Sequence, residues 1–105
     1  MTTQWKNFER DVARFFGGVR VGGMGDNLKR QSCDVYTDVL LIECKLRKEW
    51  PTPKEIAHWL GLLEARAIRE NKGSRLCIRI GGRHGFWIVA DATKPIMWHS
   101  SWETK

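Results

Sequence analysis

Two charged residues end a strand that is otherwise aliphatic. Glu43 and Lys45 follow the run Val39-Leu40-Leu41-Ile42, and four consecutive aliphatic residues are typical of a strand that is buried on both faces. Residues two apart on a strand point to the same face, so the carboxylate and the ammonium group lie side by side. Charges in such a place are unfavourable unless a partner or a function uses them. The pair therefore marks a candidate chemical site.

The turn before this strand decides whether a second carboxylate joins the pair. A two-residue hairpin turn at Thr37-Asp38 would place Asp34 opposite Leu41, and residues directly opposite each other share a face of the sheet. Asp34 would then lie on the same side as Glu43 and Lys45. A loop one residue longer or shorter would move Asp34 to the other side. The sequence thus predicts that these three side chains converge.

Two carboxylates this close together need a positive group between them. At about 5 Å and an effective dielectric constant of about 20, they repel each other by about 3 kcal/mol. Lys45 offsets part of this repulsion, and Mg²⁺ or Mn²⁺, which prefer oxygen ligands and retain water, would offset more. A metal-bound water of lowered pKa can attack a phosphodiester, and Lys45 would orient that water or stabilise the charge that develops on the phosphoryl group. The alternative is a plain salt bridge between Glu43 and Lys45 at a sheet edge.

The sequence excludes several other kinds of site. Cys33, Cys44 and Cys77 have neither metal-ligand nor disulfide spacing, so we expect reduced, partly buried thiols in a cytoplasmic protein. The glycine-rich segment over residues 22–27 has no following Gly-Lys-Ser/Thr, which rejects a P-loop and favours a mobile loop. The three histidines are too scattered to form a metal site or a histidine-based nuclease motif.

Periodicity indicates the elements that would position these residues. Apolar residues at three- and four-residue steps predict a helix over residues 4–16, which Gly17-Gly18 ends, and Glu9 lies at the edge of its buried stripe. Three strands should follow, over residues 19–21, 33–36 and 39–45.

A second helix has the clearest start in the chain. Thr52 is its N-cap, Pro53 takes the first helical position, and Glu55 completes a capping box. Gly61 in its middle costs about 1 kcal/mol relative to alanine, and a close approach to the sheet would account for it. Two further strands are expected over residues 75–80 and 86–90, with 96–98 as a candidate edge strand. The order α-β-β-β-α-β-β favours a small mixed sheet flanked by two helices.

Length and charge limit the class of protein. The 105 residues suffice for a single domain over 1–105, and their net charge of +6 points to an anionic partner, for which nucleic acid is the commonest choice. No segment reaches the roughly 20 apolar residues of a membrane-spanning helix, and the N-terminus lacks the apolar region of a secretion signal. We therefore expect a cytoplasmic protein with no membrane partner.

Basic residues flank the predicted glycine-rich loop. Arg20, Lys29 and Arg30 are candidate contacts to the phosphates of a substrate beside the site, and the alternative is a solvated loop. Arg79 and Arg83 lie at the second predicted hairpin, where a role in solubility explains them as well as phosphate contacts do.

The combination of Asp34 with Glu43-Cys44-Lys45 resembles the signature of the PD-(D/E)xK nuclease superfamily. Glu9 in the first predicted helix is similar to the acidic residue that many members carry upstream. A helix with a glutamate, a strand with Arg20-Val21, a glycine-rich loop and then the motif are most similar to the small phage and archaeal Holliday-junction resolvase-like nucleases. The resemblance spans about residues 4–90. One departure is Cys33, which stands where the family's name has proline.

This resemblance implies a restriction-endonuclease-like α/β core of the type αβββαβ, in which helices flank a small mixed central sheet. It implies cleavage of DNA phosphodiesters with Mg²⁺ or Mn²⁺, with branched DNA such as a Holliday junction as the substrate. Asp34 and Glu43 would bind the metal ion, Lys45 would be the catalytic lysine, and Glu9 would assist through the metal or water. The resolvase-like nucleases are homodimers, so the resemblance also implies a homodimer.

Two other functions stay open at this point. A catalytically silent DNA-binding module on the same fold would bind DNA with an affinity that falls as salt rises, and would show no metal-dependent turnover. The complete set of Asp34, Glu43 and Lys45 argues against it, because a binding module has no need of buried like charges. An adaptor for acidic proteins would have no affinity for nucleic acid.

Overall fold

The computed structural model describes residues 2–21, 33–90 and 97–99, with side chains over 4–21 and 33–90. In chain order the elements are α1 (Thr2–Phe16), β1 (Val19–Arg20), β2 (Val35–Tyr36), β3 (Leu40–Arg47), α2 (Pro53–Arg69), β4 (Gly73–Ile80), β5 (Phe86–Val89) and β6 (Met97–His99). The predicted mixed α/β class and the order of the elements are confirmed. The glycine-rich segment, with Lys29 and Arg30, lies outside the described residues. Neither α1 nor α2 has the length and apolar character that a bilayer crossing requires.

Within the described residues, the sheet has six strands that lie in chain order from β1 to β6. β3 and β4 run parallel, and the other neighbouring strands are antiparallel. A parallel pair needs a crossover connection, which α2 supplies. β3, the strand that carries Glu43 and Lys45, therefore lies inside the sheet, between the antiparallel β2 and the parallel β4.

The two helices cover opposite faces of this sheet. α1 buries Phe8 and Val12 against one face, and α2 buries an apolar stripe against the other, formed by Ile56, Leu60, Leu63 and Ala67. Along β3, Leu41 belongs to the α2 cluster and Ile42 to the α1 cluster. Because side chains alternate along a strand, Glu43 and Lys45 lie on the α2 face.

The hairpin between β2 and β3 is longer than predicted. Tyr36 lies opposite Leu41 and Val35 lies opposite Ile42, and residues 37–39 connect the two strands. The predicted two-residue turn is therefore wrong. The pairing has moved by two residues along β3.

Thr37 explains the longer connection. Its hydroxyl oxygen accepts hydrogen bonds from the backbone N–H groups of Val39, at 3.1 Å, and Leu40, at 3.0 Å. Local bonds of this kind compete with the tighter hairpin turn. A shift by two residues preserves the side of the sheet, so Asp34 still lies on the side of Glu43.

The start of α2 is as predicted, but its glycine is not. The Thr52 hydroxyl accepts from the Glu55 N–H at 3.1 Å, and the Glu55 carboxylate accepts from the Thr52 N–H at 2.9 Å, which completes the capping box. A Cβ atom at Gly61 would meet no heavy atom within 4 Å, so the expected close approach to the sheet is wrong. Gly18 is tightly enclosed instead, since a Cβ atom there would lie 2.6 Å from the Tyr36 carbonyl oxygen.

Two glycine-to-alanine substitutions should therefore act in opposite directions. Gly61→Ala should raise the free energy of unfolding by about 1 kcal/mol, because alanine has the higher helix propensity and the space around it is open. Gly18→Ala should lower it, because the new Cβ atom would overlap the backbone of Tyr36. Urea denaturation of both variants measures the effect. A loss of stability in Gly61→Ala would contradict the open surroundings of that residue.

Candidate active site

The candidate site forms where β2 and β3 separate. The ladder between these strands reaches Ile42, whose carbonyl oxygen accepts from the Asp34 N–H at 3.0 Å. Two residues further along β3, the Cys44 N–H donates to Oδ2 of Asp34 at 2.8 Å. The Asp34 carboxylate thus takes the place of a backbone acceptor. This hydrogen bond holds it beside the segment that carries Glu43 and Lys45.

Asp34 and Glu43 line one open cavity of about 410 Å³, together with Cys33 and Arg66. Oε2 of Glu43 lies 3.5 Å from Nζ of Lys45, and Oε1 lies 3.8 Å from Nη1 of Arg66. The structure therefore brings Asp34, Glu43 and Lys45 together at one place. The salt bridge considered as an alternative is also present, inside this cluster.

Asp34 has a strongly perturbed acidity. Burial raises the pKa of its carboxyl group to about 7, and the negative charge of Glu43 is the second cause. Glu9 raises this pKa further, whereas the Cys44 hydrogen bond and the charge of Lys45 lower it. Negative charge is therefore incompletely balanced around Asp34, and a bound cation would relieve the imbalance.

The donor set fits a hard cation that keeps part of its water shell. Mg²⁺ is commonly held by one or two carboxylates together with water and substrate phosphate, and Asp34 and Glu43 offer two. Among the described side chains, no group of three or more His, Cys, Asp and Glu forms a complete metal site. Burial raises the pKa of the Cys33 thiol to about 11. Cys33 is a poor ligand for such an ion, because Mg²⁺ prefers oxygen to the soft sulfur of a thiolate.

Glu9 lies on α1 and belongs to a separate cluster with Trp5 and Arg20. Its Oε1 accepts from Nε of Arg20 at 2.7 Å, and its Oε2 accepts from the indole N–H of Trp5. Only 4% of the residue is exposed. Glu9 is close enough to raise the pKa of Asp34, but it is not among the residues that line the cavity.

The predicted phosphate contacts have different outcomes. Arg20 is mostly buried, with 17% of its side chain exposed, and its guanidinium group neutralises Glu9. Its contact to substrate stays a prediction, and the structure gives it a partner within the protein. Lys29 and Arg30 lie outside the described residues.

Two residues of α2 that the sequence analysis did not assign to the site also face it. Arg66 forms the ion pair with Glu43, and the ring of Trp59 has its centroid 5.0 Å from Nζ of Lys45. They are seven residues apart, which is two helical turns on one face, and they flank the buried stripe of α2. That spacing is the signal in the sequence that could have identified them.

Comparison of the chain with protein-family models, with curated proteins and with solved structures finds no match in any of the three. The functional assignment therefore depends on the geometry of this site and on the motif in the sequence.

Replacing the Asp34 carboxylate with a neutral amide should stabilise the folded protein when a chelator removes divalent cations. The pKa of this carboxyl is about 7 in the folded protein against 3.8 ordinarily, so the folded state binds more protons than the unfolded state between these values. Stability should therefore fall as pH rises from about 4 to about 7. Asp34→Asn keeps an oxygen to accept from Cys44 and should reduce this fall.

Thermal unfolding between pH 4 and pH 8 in EDTA measures this effect. Asp38→Asn is the matched control, because Asp38 is exposed and the substitution changes the same charge. It should leave the pH profile of the melting temperature unchanged. Identical pH profiles for wild type and Asp34→Asn would contradict the claim that the charged form of Asp34 destabilises the fold.

Proposed function

We propose that the protein is a metal-dependent endonuclease that hydrolyses DNA phosphodiester bonds. The observation that carries the proposal is the cavity shared by Asp34 and Glu43, with Nζ of Lys45 3.5 Å from Glu43. Two carboxylates beside one amine supply the ligands and the cationic donor that cation-assisted hydrolysis of a phosphodiester requires. The net charge of +6 supports a polyanionic substrate.

Each residue of the cluster has a distinct role in this proposal. Asp34 and Glu43 would hold Mg²⁺ or Mn²⁺, which when bound lowers the pKa of a coordinated water and neutralises charge on the phosphate. Lys45 would orient the attacking water or donate to a phosphoryl oxygen as negative charge develops there. The Cys44 N–H keeps the Asp34 carboxylate in place, and Glu43 keeps Lys45 beside it. Glu9 would act through Asp34, whose pKa it raises.

The topology supports the finer part of the proposal. One helix, three antiparallel strands, a crossover helix and a parallel fourth strand are compatible with a restriction-endonuclease-like core. With the Asp34 and Glu43-Cys44-Lys45 motif, this order supports membership of the PD-(D/E)xK superfamily. A branched DNA substrate and a homodimer are included in the proposal on the strength of the resemblance to resolvase-like nucleases.

Cleavage should depend on the cation and on the cluster. Supercoiled plasmid, linear duplex and a four-way junction are each incubated with Mg²⁺, Mn²⁺ or EDTA. We expect cleavage with either cation, none in EDTA, and the fastest reaction on the junction. Glu43→Ala and Lys45→Ala should each slow cleavage by about 100-fold or more, because each removes a group that acts in the transition state.

Two exposed residues provide matched controls for this assay. Glu64→Ala and Lys54→Ala remove the same charges from α2, outside the cavity, and should leave cleavage unchanged. Cleavage that survives the double substitution of Glu43 and Lys45 would refute the assigned roles. Salt-sensitive DNA binding with no cleavage under any metal condition would favour the silent binding module.

Cation binding can be tested without DNA. An ion that binds only the folded state stabilises it by mass action, by about 2.7 kcal/mol at a hundred times its dissociation constant. Mn²⁺ should therefore raise the melting temperature of the wild-type protein in differential scanning fluorimetry. Asp34→Asn and Glu43→Gln should reduce that increase, whereas Glu64→Gln should retain it. An equal increase in all four proteins would show that the ion binds elsewhere.

A further inference from the structure

Lys45 shares its aromatic partner with a second cation. The guanidinium carbon of Arg47 lies 4.7 Å from the centroid of the Trp59 ring, and Nζ of Lys45 lies 5.0 Å from it. Lys45 and Arg47 are two apart on β3, so both point to the face that α2 covers. The indole ring thus holds two positive groups of one strand beside the candidate site.

The two cations differ in how their charge is balanced. Lys45 has a carboxylate partner in Glu43 at 3.5 Å. Arg47 donates from Nη1 to the Leu46 carbonyl oxygen at 3.1 Å, and no carboxylate of the described residues lies within ion-pair distance of it. Arg47 is partly exposed. Arg47 therefore presents positive charge that a ligand could neutralise.

The spacing along β3 suits a chain of phosphates. A strand rises about 3.3 Å per residue, so the backbone positions of Lys45 and Arg47 are about 6.6 Å apart, which is similar to the separation of successive phosphates along one nucleic-acid strand. A guanidinium group binds two phosphate oxygens at once, and stacking on an aromatic ring restricts its orientation before the ligand arrives.

We infer that Arg47 binds the DNA phosphate next to the one that is cleaved, so that the substrate strand runs along β3 from Glu43 towards Arg47. This inference rests on the proposed function, because Lys45 is taken to act on the phosphate that is cleaved. Trp59 is then a positioning residue, since it contacts Lys45 and Arg47 rather than DNA. The helix α2 would align the substrate indirectly, through this one ring.

Binding and cleavage of a labelled duplex and a labelled four-way junction test the contact. Binding is followed by fluorescence anisotropy in EDTA over a series of salt concentrations, and cleavage is followed in Mg²⁺. Arg47→Met keeps the apolar stem and removes the charge. We expect about tenfold weaker binding, a slope of log K against log salt that is smaller by about 1, and a higher KM with kcat changed less than about threefold.

Two further variants separate charge from geometry. Arg47→Lys should restore the salt slope but only part of the affinity, because lysine lacks the planar fork. Arg69→Met removes an exposed arginine from the other end of α2 and should leave binding unchanged. An unchanged slope in Arg47→Met, or an equal change in Arg69→Met, would overturn the inference.

The role of Trp59 has its own test. Trp59→Leu should lower kcat and raise KM together, because Lys45 and Arg47 both lose the ring, while Trp59→Phe should recover most of both values. Equal defects in the leucine and phenylalanine variants would overturn the positioning role.

The result also separates the inference from the proposed function. If the wild-type protein cleaves DNA and its salt slope does not depend on Arg47, the contact is wrong and the nuclease proposal stands. If the wild-type protein binds DNA through Arg47 but cleaves none of the substrates, the phosphate contact is supported and the nuclease proposal is overturned.

Discussion

The geometry of the candidate site depends on one hydrogen bond, from the Cys44 N–H to the Asp34 carboxylate. It forms where β2 stops pairing with β3, so a side chain takes over from the backbone ladder. The same bond brings Asp34 next to Glu43, although burial and the charge of Glu43 both oppose ionisation of Asp34. The fold therefore maintains two carboxylates in an arrangement that is unfavourable by itself. Such arrangements are concentrated at functional sites.

The sheet separates this cluster from two ion pairs that hold α1 in place. On the α1 side, Arg20 neutralises the buried Glu9, and Arg79 donates to Asp11 at 2.8 Å. Arg79 is only 7% exposed and also donates to backbone carbonyl oxygens of the β4–β5 connection. These pairs attach α1 to β1 and to β4. On the α2 side, in contrast, Asp34, Glu43 and Arg66 line an open cavity that a ligand can enter, and Lys45 lies beside Glu43.

Local signals in the sequence were sufficient for the elements, but not for their partners. The capping box at Thr52 and the end of α1 before Gly17-Gly18 depend on neighbours within a few residues, so both were predictable. The hairpin register was not, because it depends on the hydrogen bonds of a single hydroxyl, that of Thr37. Solubility does not explain Arg79, which is buried; the alternation of β4 gives its face but not its partner Asp11, which lies 68 residues away. Trp59 and Arg66 likewise became part of the site only through the packing of α2 across β3.

The register of the hairpin between the two carboxylates decides whether they meet. Residues 34 and 43 are nine positions apart, and the ladder between β2 and β3 preserves their common side. Because sides alternate with every residue, a slip of this ladder by one residue would leave both strands able to pair. It would nevertheless turn one acid towards the apolar layer around Phe8. A mispaired β2 would therefore give a complete sheet without an acidic cavity.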